Sequence, residues 1–184
     1  MIQILSLKFY KVIDISLLLL TSTTIKKKLE DVVGRICEVL IPIKPEYYMG
    51  QGMRIAVCTL SSIHLLQSIA RTDDIMNRIL IVGRLLSENK GIDTLVQFTL
   101  KHPELRYIIV CGRDVKGHQS GQALLSLHKN GTGNDSRIVG AAGPHPFLTH
   151  SHLDIESFRK QIVIFDLIGC DDLKTVKTMI DRHA

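Results

Sequence analysis

The chain has 184 residues, of which 45% are hydrophobic, and its formal net charge is +5, so it can bury a core and is expected to form one domain with at most an appendage. Aromatic residues make up only 5%, tryptophan is absent and the basic residues are scattered, which excludes the aromatic platforms of single-strand binders and argues against nucleic acid as a partner. The four cysteines are far apart in the sequence, so we expect free thiols and a cytoplasmic protein.

Residues 1–46 are predicted to be an N-terminal extension. An apolar run at residues 12–20 is too short to span a bilayer, and no cleavage site of a signal peptide follows it. In residues 26–40 the apolar residues recur at helical spacing, which predicts an amphipathic helix. Its apolar stripe consists of Leu29, Val32, Val33, Ile36 and Leu40.

Residues 47–184 are predicted to form an α/β domain, because short aliphatic runs alternate with segments of helical spacing. The predicted strands are residues 54–60, 79–82, 107–111, 137–139 and 163–168. The predicted helices are residues 62–70, 92–101, 121–130 and 173–180, with a further short helix that ends near Phe158. This order indicates a Rossmann-like fold, with a mainly parallel sheet and helices on both of its faces.

The most informative stretch is residues 107–131, which combine a strand, a loop and a helix. Residues 107–111 are almost all apolar, as in a parallel strand that is buried on both faces. The loop that follows carries His118 between Gly117 and Gly121. Open α/β sheets bind ligands at loops of this kind, and a histidine between glycines can offer one nitrogen to a metal held in a bulky planar ligand.

Three glycine-bearing loops are expected at this end of the sheet. They are residues 83–91 after the second strand, residues 112–121 after the third and residues 140–146 after the fourth. Glycines let a broad, flat ligand approach the backbone closely, so the three loops together are typical of a site for such a ligand.

Residues 47–173 resemble the corrinoid-carrying A subunit of tetrahydromethanopterin S-methyltransferase in four pieces of sequence. The longest piece is HPELRYIIVCGRDVKGHQSGQALLSLHKNG at residues 102–131. The others are AVCTLSS at residues 56–62, SENKGID at residues 87–93 and RIVGAAGPHPFL at residues 137–148.

The resemblance implies a methyl-carrier protein that binds cobalamin, a cobalt corrinoid. In that family the histidine of the G-H-x-x-G segment is the protein ligand of cobalt, and it falls here on His118. The resemblance also implies partner methyltransferase subunits and a methyl group that moves from a pterin-type donor to a thiol-type acceptor. Members of the membrane complex carry an anchor helix after this domain, and because this sequence shows no such segment we expect no transmembrane anchor of its own.

The cofactor is expected to contact the three loops and the end of the first strand. On this basis the predicted cofactor-binding residues are His118, Gly117, Lys116, Gly121, Gln122, Gly112, Thr59, Ser61, Gly83, Asn89, Gly91, Gly140, Gly143 and Pro146, with His118 as the metal ligand.

The second ring nitrogen of His118 also needs a partner. The D-x-H-x-x-G motif of other corrinoid proteins has an aspartate two residues before the histidine, and Lys116 stands there in this chain. Because lysine cannot accept a hydrogen bond, the expected partner is a backbone carbonyl, Asp114, Ser120 or water.

Other chemistries fit parts of the same sequence. The main alternative is a nucleotide- or phosphate-binding α/β module without cobalamin, which would use backbone N–H groups of the loops and the helix that begins near Gly121. Further alternatives are a zinc site from His145, His150 and His152, with or without His118, a nucleophilic Cys111, and a module that has lost its cofactor.

Overall fold

A computed structural model describes residues 46–184 of the chain. The amphipathic helix predicted at residues 26–40 lies outside the described residues, as does the rest of the predicted extension apart from residue 46.

The described part of the chain contains one five-stranded sheet. Its strands are β1 (Tyr47–Met49), β2 (Ile55–Cys58), β3 (Ile81–Gly83), β4 (Tyr107–Gly112) and β5 (Val163–Ile168). Across the sheet they lie in the order β1-β3-β2-β4-β5, and only β1, which is antiparallel to β3, departs from parallel pairing. The chain runs from β2 to β3 on one side and then back across β2 to β4, so the strand order reverses between β2 and β4.

Six helices accompany the sheet in residues 46–184. They are α1 (Ile63–Ala70), α2 (Asp73–Met76), α3 (Lys90–Lys101), α4 (Ser120–Asn130), α5 (His152–Gln161) and α6 (Leu173–His183). Side chains cap two of the later helices. Ser151 and Asp154 form a reciprocal capping box at α5, and the Asp172 carboxylate accepts hydrogen bonds from the N–H and hydroxyl of Thr175 at α6. Such caps satisfy N–H groups that the first helical turn leaves open.

Each face of the sheet has its own apolar core. Alternate residues of the strands point to opposite faces, so Ile108 and Val110 of β4 pack with α3, α4 and α5, whereas Ile109 and Cys111 pack with α1, α2 and α6. All four of these β4 side chains are fully buried, and full burial of an aliphatic side chain contributes about 1.5–3 kcal/mol. The prediction of a parallel strand that is buried on both faces at residues 107–111 is confirmed.

The α/β fold class and most of the predicted elements are confirmed, and one strand is wrong. Residues 137–139 do not join the sheet; Arg137 and Ile138 make single antiparallel bridges to Phe147 and Thr132 within the connection between α4 and α5. The local partners satisfy these backbone groups, so the segment gains nothing from reaching the sheet. The fifth strand is instead β1, which had not been predicted, and α2 was also missed.

Candidate functional site

The three glycine-bearing loops meet at the carboxyl end of the sheet, as predicted. The Ser120 hydroxyl, at the start of α4, donates to the carbonyl of Leu85 in the loop after β3 at 2.7 Å. Gln122 joins α4 to the third loop, because its side chain donates to the Gly140 carbonyl and accepts from the Ala142 N–H, both at 2.9 Å. The third loop therefore reaches the site although no strand of the sheet precedes it.

His118 and Glu88 form the central contact between two of these loops. The Nδ1 atom of His118 lies 2.7 Å from Oε2 of Glu88. The two side chains differ sharply in burial, since Glu88 is 1% exposed and His118 is 53% exposed. A buried carboxylate is costly unless its oxygens are hydrogen-bonded, and the second oxygen of Glu88 accepts the backbone N–H of His145 at 3.1 Å.

This contact defines what the His118 ring can do. A carboxylate accepts hydrogen bonds, so the arrangement places a proton on Nδ1 and leaves the lone pair on Nε2. No described residue forms a hydrogen bond with Nε2, and the ring faces solvent. Metal-binding histidines commonly have this arrangement, in which a carboxylate holds the far nitrogen and raises the basicity of the ligating one.

The third loop packs tightly against this pair at Gly143. A Cβ atom at this position would collide with the His118 carbonyl oxygen and press on the Glu88 side chain. The glycine is therefore required by the close approach of two backbones rather than by its own conformation. Its role in the site is to let the three loops close around Glu88.

Asp114 organises the loop that carries His118. Its carboxylate accepts the backbone N–H groups of Val115, Gly121 and Gln122 at 2.8, 2.9 and 3.0 Å. The intervening turn uses left-handed backbone at Gly117, with φ of +85°, and at Gln119, with φ of +46°. Because an aspartate already occupies these N–H groups, the helix terminus is not open to an external phosphate, which weakens the nucleotide alternative.

Predicted residues near β2 and the end of β4 are mainly engaged with neighbouring backbone. The buried Thr59 hydroxyl lies 3.5 Å from the Gly83 carbonyl, and Ser61 donates to the Arg113 carbonyl at 2.6 Å. Gly112 has φ of +78°, and a Cβ there would collide with Thr59 and Ser62. These residues shape the strand ends, and none of them contacts His118 or Glu88 through a hydrogen bond.

The remaining predicted residues serve the loops themselves. Asn89 caps α3 by accepting the N–H of Lys90 at 2.6 Å, and the Gly91 N–H donates to the Ser87 hydroxyl at 2.8 Å. Pro146 is buried, whereas Lys116 is exposed. Of these four residues, Lys116 is the one that lies in the same loop as His118, and its side chain is exposed.

A cleft of about 810 Å³ lies beside this loop, at the carboxyl ends of β2, β4 and β5. Its polar lining includes Ser61, His64, Arg113, Asp114, Lys116 and Asp171. The cleft coincides with the reversal of strand order between β2 and β4, which is where open α/β sheets bind their ligands. The loop that carries His118 contributes Asp114 and Lys116 to this cleft, whereas His118 itself does not line it. The cleft is large enough for part of a bulky ligand.

The other chemistries considered from the sequence find little support. Burial raises the pKa of Cys58 to about 12 and also raises the pKa of Cys111, so neither thiol is disposed to act as a thiolate nucleophile. Among residues 46–184 no group of three or more His, Cys, Asp or Glu side chains could hold a metal ion. His150 is bonded to the Asp93 carbonyl at 2.9 Å. A metal that a cofactor already holds through its own ligands needs only one donor atom from the protein, and His118 offers one.

The partners of two histidine rings follow from the fold and not from the local sequence. Glu88, which holds the second ring nitrogen of His118, was not among the proposed partners; it lies in the matching piece SENKGID, but its burial is a tertiary property that no local pattern reveals. His128, in α4, forms a hydrogen bond from its Nε2 to the carbonyl of Ile162 at 2.7 Å. His128 is thus engaged within the fold and is not a second free imidazole.

Fold and site together define an α/β domain that presents a carboxylate-supported imidazole, His118, at the carboxyl end of a mainly parallel sheet. The chain belongs to the family of the A subunit of tetrahydromethanopterin S-methyltransferase, whose sequence model matches residues 38–184. Within residues 46–184, no helix has the length and apolar character needed to cross a membrane.

Individual relatives agree with the family assignment. The chain is 31% identical over 150 residues to a Methanosarcina acetivorans protein provisionally named the A subunit of methyltransferase Mtx, a match that covers 80% of this chain and 72% of the relative. It is 40% identical over 102 residues to the A subunit of tetrahydromethanopterin S-methyltransferase of Methanocaldococcus jannaschii, covering 54% of this chain and 42% of the relative. The corresponding subunit of Methanohalophilus mahii is 38% identical over 105 residues, covering 56% and 43%. The match to the last two relatives thus spans less than half of their length.

Proposed function

We propose that this chain is the corrinoid-carrying subunit of a methyltransferase, with His118 as the axial ligand of cobalt in cobalamin. The observation that carries the proposal is the His118 ring itself, whose Nδ1 is held by buried Glu88 while Nε2 faces solvent. The names of the relatives support three further parts of the proposal: methyl transfer, a pterin-type methyl donor and partner methyltransferase subunits. We also propose that the methyl acceptor is a thiol.

The residues of the site fit such a cofactor. When bound, cobalamin would supply a cobalt ion able to carry a methyl group. The protein would supply one nitrogen from His118, an open backbone at Gly117, and a neighbouring crevice that includes Lys116 and Ser61.

Glu88 would keep the His118 ring in the productive state. The carboxylate holds the proton on Nδ1, and the His145 N–H fixes the carboxylate in turn, so the lone pair of Nε2 points outward.

We further propose that residues 47–184 form the cobalamin-binding domain and that residues 1–46 are an extension with a separate role. The free thiols of Cys58, Cys111 and Cys170 suit a reducing compartment, so we propose that the domain acts in the cytoplasm.

The test is the absorption spectrum of oxidised cobalamin bound to the protein. His118→Ala should convert the histidine-ligated spectrum to that of a form with water or the cofactor's own base, and free imidazole should restore ligation to His118→Gly. His145→Ala is a matched control, because His145 contacts Glu88 through its backbone N–H and the substitution keeps that bond. If His118→Ala retains the wild-type spectrum, His118 is not the ligand. If the wild-type protein binds nucleotide and remains colourless with cobalamin, the alternative function replaces this one.

A further inference from the structure

The strand β5 forms one edge of the sheet, and no described strand pairs with its outer side. Its sequence is VIFDLI, with a single charge, and Val163 is 50% exposed while Asp166 is exposed as well. Natural sheets usually protect their edges by making the strand short, charged or bulged, because an open apolar edge is a template for another strand. At six residues, β5 is as long as its buried neighbour β4.

The direction of the backbone groups along β5 follows from its bonds to β4. The Val163 N–H donates to the Arg106 carbonyl and the Gly169 N–H donates to the Gly112 carbonyl, both at 2.8 Å. Peptide groups of a strand alternate in direction, so the odd-numbered residues face β4. The N–H and C=O groups of Ile164 and Asp166 consequently face outward.

The two ends of the outer edge are already closed by the fold. At one end, Ile162 donates its N–H to the Phe158 carbonyl at 3.1 Å and accepts from His128 Nε2 at 2.7 Å. At the other end, the Ile168 N–H donates to the Asp166 carboxylate at 3.0 Å. The open N–H groups of the edge are therefore those of Ile164 and Asp166, which lie symmetrically on either side of Phe165.

We propose that β5 pairs antiparallel with β5 of a second copy of this chain, with the two-fold axis at Phe165. In this register Ile164 of each copy lies opposite Asp166 of the other, and the two pairs exchange four backbone hydrogen bonds. An isologous contact requires a self-complementary surface, and the symmetric placement of the open groups meets that requirement.

Charge and hydrogen bonding select this register. A shift of two residues would place Asp166 opposite Asp166 of the second copy, and like charges directly opposite are destabilising. The same shift would also require the Ile168 N–H, which the Asp166 carboxylate already occupies. A strand pair alone buries little area, so the dimer is expected to be weak and is best sought at protein concentrations up to about 1 mM.

Two substitutions at one position test the register. Ile164→Asp would place a carboxylate opposite Asp166 of the second copy twice in the dimer, whereas Ile164→Lys would place an ammonium there. Both variants replace Ile164, which is partly buried against the core, with a charged side chain. In sedimentation velocity, the wild-type full chain should show a concentration-dependent rise in mass that Ile164→Asp abolishes and Ile164→Lys retains or strengthens.

Amide hydrogen exchange of the wild-type protein provides a second test that needs no variant. The amides of Ile164 and Asp166 should become slower to exchange as protein concentration rises, while the amide of Phe165, which faces β4, should not change. A wild-type chain that stays monomeric throughout, even if it binds another protein at this edge, would overturn the proposal. Equal weakening by the aspartate and lysine variants would overturn the register and with it the self-pairing of β5.

Discussion

A glutamate and a glutamine at position 88 have nearly equal size, but they would place the proton of the His118 ring on different nitrogens. Glu88 accepts from both the His145 N–H and His118 Nδ1, whereas a glutamine has only one accepting oxygen. If that oxygen serves His145, the amide NH₂ faces Nδ1, and the ring proton must move to Nε2. A protonated Nε2 has no lone pair for a metal.

We therefore expect Glu88→Gln to abolish the histidine-ligated spectrum of bound cobalamin and to weaken binding by about 10- to 100-fold, as for other partners of metal-binding histidines. Spectral titration with cobalamin measures both effects. Glu104→Gln, at an exposed turn, is the control and should behave as the wild type. An unchanged spectrum in Glu88→Gln would mean that Glu88 has no part in orienting the ring.

The two members of this pair also differ in how well the sequence predicts them. His118 stands in a short local pattern of glycines after an apolar strand, so its position in a loop at the sheet edge follows from neighbouring residues. Glu88 lies 30 residues away beside the start of a helix, where acidic residues are common and usually exposed. Its burial arises only when three loops close over it, which no local pattern encodes.

At the scale of the loop after β4, two glycines share a left-handed backbone but differ in surroundings. Gly112 has φ of +78° and no room for a side chain, whereas Gly117 has φ of +85° and nothing within 4 Å of an added Cβ. Gly117→Ala should cost about 1–2 kcal/mol of unfolding free energy, from backbone strain alone. Gly112→Ala should cost more, because the collision with Thr59 and Ser62 adds to the same strain.

Urea denaturation of the two variants measures this difference, and each serves as the control of the other. Equal losses of stability would show that the packing at the end of β4 adjusts freely to a methyl group. A larger loss for Gly117→Ala would contradict the assignment of close contact to Gly112.

Elements with strong local patterns were predictable, and short ones were not. The strand β4 and the helix α4 follow from an apolar run, a glycine loop and helical spacing. The strand β1 has three residues, all exposed, and exists because it pairs with β3; α2 is a single turn. The segment at 137–139 has the composition of a strand, but its bridges to Thr132 and Phe147 come from a folded connection that composition alone does not reveal.

For the molecule as a whole, exposed carboxylates predict how stability depends on pH. The Thr175 hydroxyl, followed by backbone N–H groups, holds the pKa of Asp172 below its ordinary value of 3.8, and the Ser151 hydroxyl does the same for the pKa of Asp154. A depressed pKa in the folded state contributes stability that is fully present above the unfolded value and is lost as pH falls through the folded value.

Asp172→Ala should therefore be less stable than the wild type at neutral pH, and the gap should narrow as pH falls below 3.8. Urea denaturation at a series of pH values measures the gap, with Glu104→Ala as the exposed control. A gap that stays constant down to low pH would show that the ionised carboxylate is not what stabilises α6.

The contact that joins Glu88, His118 and His145 also bears on when the domain becomes able to bind. These residues lie 30 and 57 positions from Glu88, so no short segment of the newly made chain contains the arrangement. The outward-facing ring nitrogen acquires its fixed orientation only after β3, β4 and the long connection beyond α4 have all come together. A ligand that needs this orientation thus recognises the finished fold and not the unfolded chain, so it stabilises the native state by an amount that grows with the ligand concentration.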